Sequence, residues 1–257
     1  DKDLPLNVQI VGRVEKEKYA REKIVFSGSR HSRVPGYLAI PKGGMAPYPC
    51  VIQIHGLSSS KESWWEENGM MGELTKQLLD AGFAVFALDA EYHGERLGNN
   101  DFESPTSILN KGLVTLSRDM ITQSVIEYRR GIDYLNTRKE IDMDRIGVIG
   151  YSMGGMMTFN LGAVDPRVRA SVSCVSPVIT VPYLPTAVHN SAPYITDQAF
   201  LMLMADKDEM NYSVETARRV YELLNAKTKE LIFYDSGHML PREWTVEAVR
   251  WMEKYLK

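Results

Sequence analysis

The chain has 257 residues, 44% of them hydrophobic and 25% charged, with a net charge of -3 and a pI near 6.0. That length holds one large α/β domain or two small ones. With no basic excess and no polybasic run, nucleic acid and an anionic membrane surface are poor partners, and no apolar run approaches the ~20 residues of a membrane span.

The chain starts at Asp1 rather than at a methionine, and no signal peptide is visible. The expected location is the cytoplasm, with removal of a segment before Asp1 left open. Residues 1–20 are polar and mixed and read as a surface arm. Residues 23–27 (KIVFS) and 34–40 (VPGYLAI), joined by a polar turn, read as an antiparallel hairpin. A Gly/Pro-rich loop at 43–49 leads to a buried strand at 50–54 (CVIQI), which ends in His55-Gly56-Leu57. A helix is expected from about residue 64 to 81, closed by Gly82 as its cap. A further buried strand, 83–88 (FAVFAL), precedes Asp89 and a long loop containing Tyr92-His93-Gly94-Glu95-Arg96. Residues 114–136 carry apolar positions Ile121, Val125, Ile132 and Leu135 near helical spacing.

Residues 145–149 (RIGVI) read as a short buried strand and 156–163 as a helix. The stretch Gly150-Tyr151-Ser152-Met153-Gly154 between them matches G-x-S-x-G, the nucleophile-elbow pattern. A strand that turns abruptly into a helix strains its middle residue and pushes that side chain above the sheet. The helix aims its first N–H groups at the place where negative charge develops. Ser152 is therefore the candidate nucleophile; the alternative is an ordinary turn serine. Strands are expected at 168–175, 199–205 and 230–234, and helices at 214–225 and from Pro241 onward. Residues 176–198 hold four prolines and little periodicity, and read as a loop or small lid.

From residue 50 onward strands and helices alternate, which implies a mostly parallel sheet with helices on both faces. His55, Asp89, Ser152, Asp208 and His238 all fall just past the carboxyl end of a strand, where sites in such sheets lie. No internal repeat, low-complexity tract or linker interrupts the chain, so one domain is expected over 1–257.

A serine hydroxyl needs a base. Of the five histidines, His238 is the best placed, in the turn Asp235-Ser236-Gly237-His238 after the last strand. An imidazole base needs a carboxylate to fix its tautomer. Asp206 and Asp208 both follow the preceding strand, and Asp208, farther into the loop, is favoured.

The order Ser…Asp…His is that of the α/β-hydrolases. His55-Gly56, the elbow, the segment ADKDE at 205–209 and SGHM at 236–239 extend the match, and nearly the whole chain resembles that superfamily. Within it the chain resembles serine esterases of the dienelactone-hydrolase-like and acylaminoacyl-peptidase-like branch. The resemblance implies an α/β-hydrolase fold of about eight strands, with an antiparallel N-terminal hairpin and no large cap domain. Aligned with the family's acid loop, ADKDE points to Asp208. The resemblance also implies an oxyanion hole made by the backbone N–H groups of Leu57 and Met153, with His55 shaping that loop. The chain departs from true dienelactone hydrolases, which use a cysteine, and from dehalogenases, which use an aspartate.

The expected activity is hydrolysis of short-chain carboxylic esters through an acyl-enzyme. A peptidase or amidase using the same triad is the nearest rival, and a non-catalytic binding protein is the rival from another class. A small-molecule ester is the expected partner. No cofactor or metal is implied, and oligomeric state is not legible. Residues 176–198, with Tyr183 and Tyr194 as substrate-binding candidates, are expected to roof the pocket, the alternative being a loop packed on the flank. Trp64 and Trp65 are read either as lining the site mouth or as core. Cys50 and Cys174 are expected as buried thiols, too far apart to bridge because the resemblance sets the elbow strand between theirs.

Overall fold

The computed structural model describes residues 4–30, 32–178, 184–208 and 211–257. Three antiparallel strands come first: β1 (Gln9–Glu15), β2 (Tyr19–Ser27) and β3 (Arg33–Pro41). Then follow β4 (Tyr48–Ile54), α1 (Met70–Asp80), β5 (Ala84–Leu88), α2 (Thr106–Asn110), α3 (Val114–Leu135), β6 (Ile141–Tyr151) and α4 (Met153–Val164). The chain closes with β7 (Val168–Cys174), α5 (Val188–Ser191), β8 (Ala199–Ala205), α6 (Val214–Leu223), β9 (Thr228–Tyr234) and α7 (Glu243–Leu256).

Among the described residues nine strands form one sheet, in the order β1-β2-β3-β5-β4-β6-β7-β8-β9. Every pairing from β4 to β9 is parallel, and β3 joins β5 antiparallel. The burial of β2 alternates along its length, as expected of a strand with one covered face, whereas β4, β5 and β8 are buried at every position. Helices lie on both faces. Gly147 of β6 abuts Met252 and Leu256 of α7, and Gly150, three positions on and so on the other face, abuts α4. Carboxyl ends of the six parallel strands share one edge, and the switch in strand order lies beside β4.

Three expectations are corrected. The supposed surface arm contains β1, a ninth strand exposed along its whole length at the edge of the sheet. Its mixed polarity hid it, because an edge strand without a covered face need not alternate. The single helix expected at 64–81 is two pieces: a 3-10 turn, Lys61–Trp65, and then α1. Between them the chain doubles back so tightly that a Cβ on Gly72 would lie 2.1 Å from the carbonyl oxygen of Glu66. The helix after the elbow starts at Met153, three residues earlier than periodicity suggests. Cys50 and Cys174 are free and buried, in β4 and β7 with β6 between them.

Candidate active site

The elbow is built by close approach. β6 delivers Tyr151 to the carboxyl edge, and α4 begins one residue after Ser152. A Cβ on Gly150 would lie 2.0 Å from the carbonyl oxygen of Gly154, and one on Gly154 2.0 Å from that of Ile54, so only glycine fits either place. Ser152 itself sits at φ 56°, ψ −118°, a region that costs a non-glycine residue about 1–3 kcal/mol. Its N–H donates to the carbonyl of Cys174 at 2.9 Å, which anchors the strained residue to β7.

The loop after β9 brings His238 over this serine. His238 Nε2 is 2.9 Å from Ser152 Oγ, and its Nδ1 is 2.6 Å from Asp208 Oδ2. With the carboxylate accepting at Nδ1, that nitrogen carries the proton and Nε2 keeps its lone pair for the serine hydroxyl. Asp208 is 5% exposed, and its second oxygen accepts a 2.7 Å bond from the Asn211 side chain. Asp206 faces elsewhere: its Oδ1 accepts from the backbone N–H of Ser236 at 3.2 Å and so braces the turn that carries His238.

Two residues that sequence reasoning passed over complete this frame. Asn211 holds Asp208. Tyr151 donates its hydroxyl to the carbonyl of His238 and accepts from the N–H of Leu240, at 2.8 and 2.9 Å. Burial pushes the Tyr151 phenol up, so it remains a donor. Tyr151 occupies a free position of the elbow pattern, and nothing in the sequence pairs it with a loop 87 residues away.

On the other side of Ser152 runs the turn after β4. Gly56 touches it: a Cβ there would meet Ser152 Cβ at 3.4 Å. Leu57 follows and lines the same cavity as Ser152, and Met153, the next residue after the serine, is the first of α4. A first-turn amide has no partner within its helix. The buried His55 shapes the turn: its Nε2 accepts from the N–H of Ala90 at 3.1 Å, and its Nδ1, 2.9 Å away, donates to the carbonyl of Gly56. Burial lowers its pKa to about 4. His93, whose ring centroid is 4.9 Å from that of His55, is lowered by burial to about 3.

The loop after β5 is a scaffold of buried charges. Asp89 accepts from the Lys61 ammonium at 2.8 Å and from the amides of Lys61 and Glu95 at 2.9 and 3.0 Å. Arg96 pairs with Glu91 and, at 2.5 Å, with Glu127 of α3.

Ser152 opens on a cavity of about 200 Å³ walled by Leu57, Trp64, Met71 and Met239. Trp64 is thus both core and wall, at 1% exposure. Tyr183 lies outside the described residues. Tyr194 is not at the site. It lies just before the amino end of β8, the edge opposite Ser152, and is 72% exposed. Its segment descends along α4, held by Asn160 to the carbonyl of Thr186 and by Ser191 to Asn160, at 3.0 and 3.1 Å. Its apolar residues Ala187, Val188, Ala192 and Ile195 are buried, so residues 184–198 pack on the flank. Among the described residues no group of three or more His, Cys, Asp or Glu is placed to hold a metal ion, and no helix is long and apolar enough to cross a membrane.

The sequence profile of the dienelactone hydrolase family matches residues 34–239, from β3 through His238. The chain belongs to the dienelactone hydrolase family. Its mixed sheet, with the serine elbow after β6, is the α/β-hydrolase fold. Among this family member's curated relatives, the Bacillus subtilis (strain 168) protein YtaP, named only in general terms as a hydrolase, is 27% identical over 180 residues. The match covers 68% of this chain and 58% of YtaP. The 2,6-dihydropseudooxynicotine hydrolase of Paenarthrobacter nicotinovorans is 28% identical over 144 residues, covering 54% of this chain and 31% of that protein. The chain thus spans between about a third and three-fifths of the length of these relatives. In structure it superposes on acetyl xylan esterase 1 from Thermoanaerobacterium sp. JW/SL YS485 with a TM-score of 0.77 at 19% identity, over 98% of this chain and 89% of that one.

Proposed function

We propose that this family member is a serine carboxylesterase that cleaves short-chain esters through an acyl-enzyme. The observation that carries the reading is the unbroken line from Asp208 Oδ2 through His238 to Ser152 Oγ, at 2.6 and 2.9 Å. Ser152 Oγ bonds to the ester carbonyl carbon while its proton passes to His238 Nε2. Asp208, buried and braced by Asn211, stabilises the imidazolium. The oxygen that gains charge is met by the amides of Leu57 and Met153; losing one such donor costs about 2.7–4 kcal/mol. His238 then gives its proton to the departing alkoxide as the C–O bond breaks. Water, deprotonated by His238, cleaves the acyl-enzyme and the proton returns to Ser152.

The 200 Å³ cavity with its wall of Trp64, Met71 and Met239 favours a small apolar acyl group. The test is labelling by a fluorophosphonate, which needs an activated serine, followed by a panel of 4-nitrophenyl esters and aminoacyl anilides. Absence of label on Ser152 in folded protein overturns the reading; faster turnover of anilides turns it into an amidase.

A further inference from the structure

Beside the small cavity lies a larger one that has so far been given no part in the reaction. It measures about 530 Å³, within the range of ligand-binding pockets, and meets the first at Ser59 and Ser63, which line both. Its wall is unusual in three ways. Serines dominate it: Ser58, Ser60 and Ser104 join the shared pair. Glu66 lines it with a carboxylate that, like the hydroxyl of Ser59, finds no side-chain hydrogen bond or ion pair among the described residues. Phe102 stands at its rim, 82% exposed.

Phe102 is the informative member. It and Asp101 sit at φ 61° and φ 51°, two consecutive non-glycine residues in the left-handed region. The turn is held by the N–H of Phe102 donating to the carbonyl of Leu97 at 3.0 Å. Such backbone strain persists only where surrounding structure enforces it, and it gathers at ligand clamps. Here the strain presents a bare aromatic face at the mouth of a hydroxyl-lined cavity.

We propose that this cavity binds the alcohol half of the ester, and that this half is a sugar. The inference rests on the esterase reading above. A pyranose offers an apolar C–H face to lie against Phe102 and a rim of hydroxyls. Serine hydroxyls both donate and accept, and a carboxylate accepts, so together they satisfy such a rim. The hydroxyls of Ser58, Ser60, Ser63 and Ser104 already have partners within the protein, so the groups an alkyl alcohol would leave unmet are the Ser59 hydroxyl and the Glu66 carboxylate. A phosphorylated alcohol meets Glu66 in a cavity with no lysine or arginine among the described residues of its wall.

The test compares 6-O-acetylglucose with cyclohexylmethyl acetate, which have the same acyl group and a similar ring with and without hydroxyls. The expected kcat/KM ratio in favour of the sugar ester is about tenfold. It is not larger because much of this wall remains open to water, which solvates groups the wrong alcohol leaves unpaired. Phe102→Ala and Glu66→Gln should each bring the ratio within about twofold of one. A second measurement does not depend on turnover: saturation transfer from Ser152→Ala protein to methyl β-glucoside, expected to be lost on adding Phe102→Ala. A wild-type ratio near one, a preference for acetylcholine over the sugar ester, or no transfer to the glucoside overturns the proposal. No turnover of any ester with saturation transfer intact would instead sink the esterase reading and leave the sugar cavity standing.

Discussion

The phenol of Tyr151 holds the carbonyl of His238 at 2.8 Å, so the residue just before the candidate nucleophile ties down the loop that carries its base. The same oxygen accepts from Leu240 N–H, and the ring stands edge-on to the imidazole at 6.1 Å. One residue therefore bears on the position of both the candidate nucleophile and the candidate base. Tyr151→Phe keeps the ring and removes both bonds. It should lower kcat by roughly ten- to a hundredfold, the scale of a ~1 Å misplacement, with KM changed far less. A purely structural role would show instead as a stability loss with kcat intact.

Strain at Ser152 can be read directly. Ser152→Ala and Ser152→Gly both remove the hydroxyl and should both abolish turnover, but only glycine accepts φ 56° freely. The glycine variant should be the more stable of the two by about 1 kcal/mol in urea unfolding, because relief of strain exceeds glycine's added chain entropy. Equal midpoints would mean the elbow is unstrained.

The two neighbouring aspartates should separate cleanly. Asp208→Asn is expected to cut kcat by about 10⁴-fold, as for other triad carboxylates turned to amides. The hydrogen bond of the Asp206 carboxylate among the described residues is to the backbone of Ser236, so Asp206→Asn should cost tenfold or less. The reverse ranking would move the acid to Asp206.

His55 and His93 make stability depend on pH. Their folded pKa values, about 4 and about 3, lie below the 6.5 of an unfolded histidine. Above pH 6.5 both states are neutral and the full stability is present. Below it the unfolded chain takes up protons that the folded chain refuses, so stability falls until the folded sites titrate near pH 4 and 3. For one such histidine the loss between pH 7 and pH 5 is about 2 kcal/mol. His93→Gln should shrink the wild-type loss over that interval by about this amount. A constant stability difference between the two proteins from pH 7 to 5 would refute it.

The acyl profile should follow the small cavity and not the flanking segment. Met71→Ala enlarges the wall beside Ser152 and should move the optimum from acetate toward butanoate or hexanoate. Tyr194→Ala, at the far edge of the sheet, should leave the profile from acetate to octanoate as it was.

Much of this was legible in the chain. Apolar runs ending in Gly, Ser, Asp or His marked strands β4 to β9 and their carboxyl ends, most plainly in β4, β5 and β8, because strands buried on both faces have no choice but to be apolar throughout. The elbow was legible because close approach leaves glycine as the only residue that fits at Gly150 and Gly154. The site elements that stayed hidden are those whose partners are distant. Asn211 is an ordinary polar residue until Asp208 is beside it, and Tyr151 is a free position until the loop at His238 folds back onto it. Residues 184–198 misled because a proline-rich apolar stretch reads the same whether it roofs a pocket or packs against a helix.

By itself, then, the sequence determined which residues could stand at the carboxyl edge, since local periodicity and glycine sterics act over a few residues. Only the tertiary structure decided which of them meet. His238 reaches Ser152 across 86 positions and Asp208 across 30, and Tyr194 is sent to the opposite edge. Those distances follow from how the strands are ordered in the sheet, and no local pattern encodes that order.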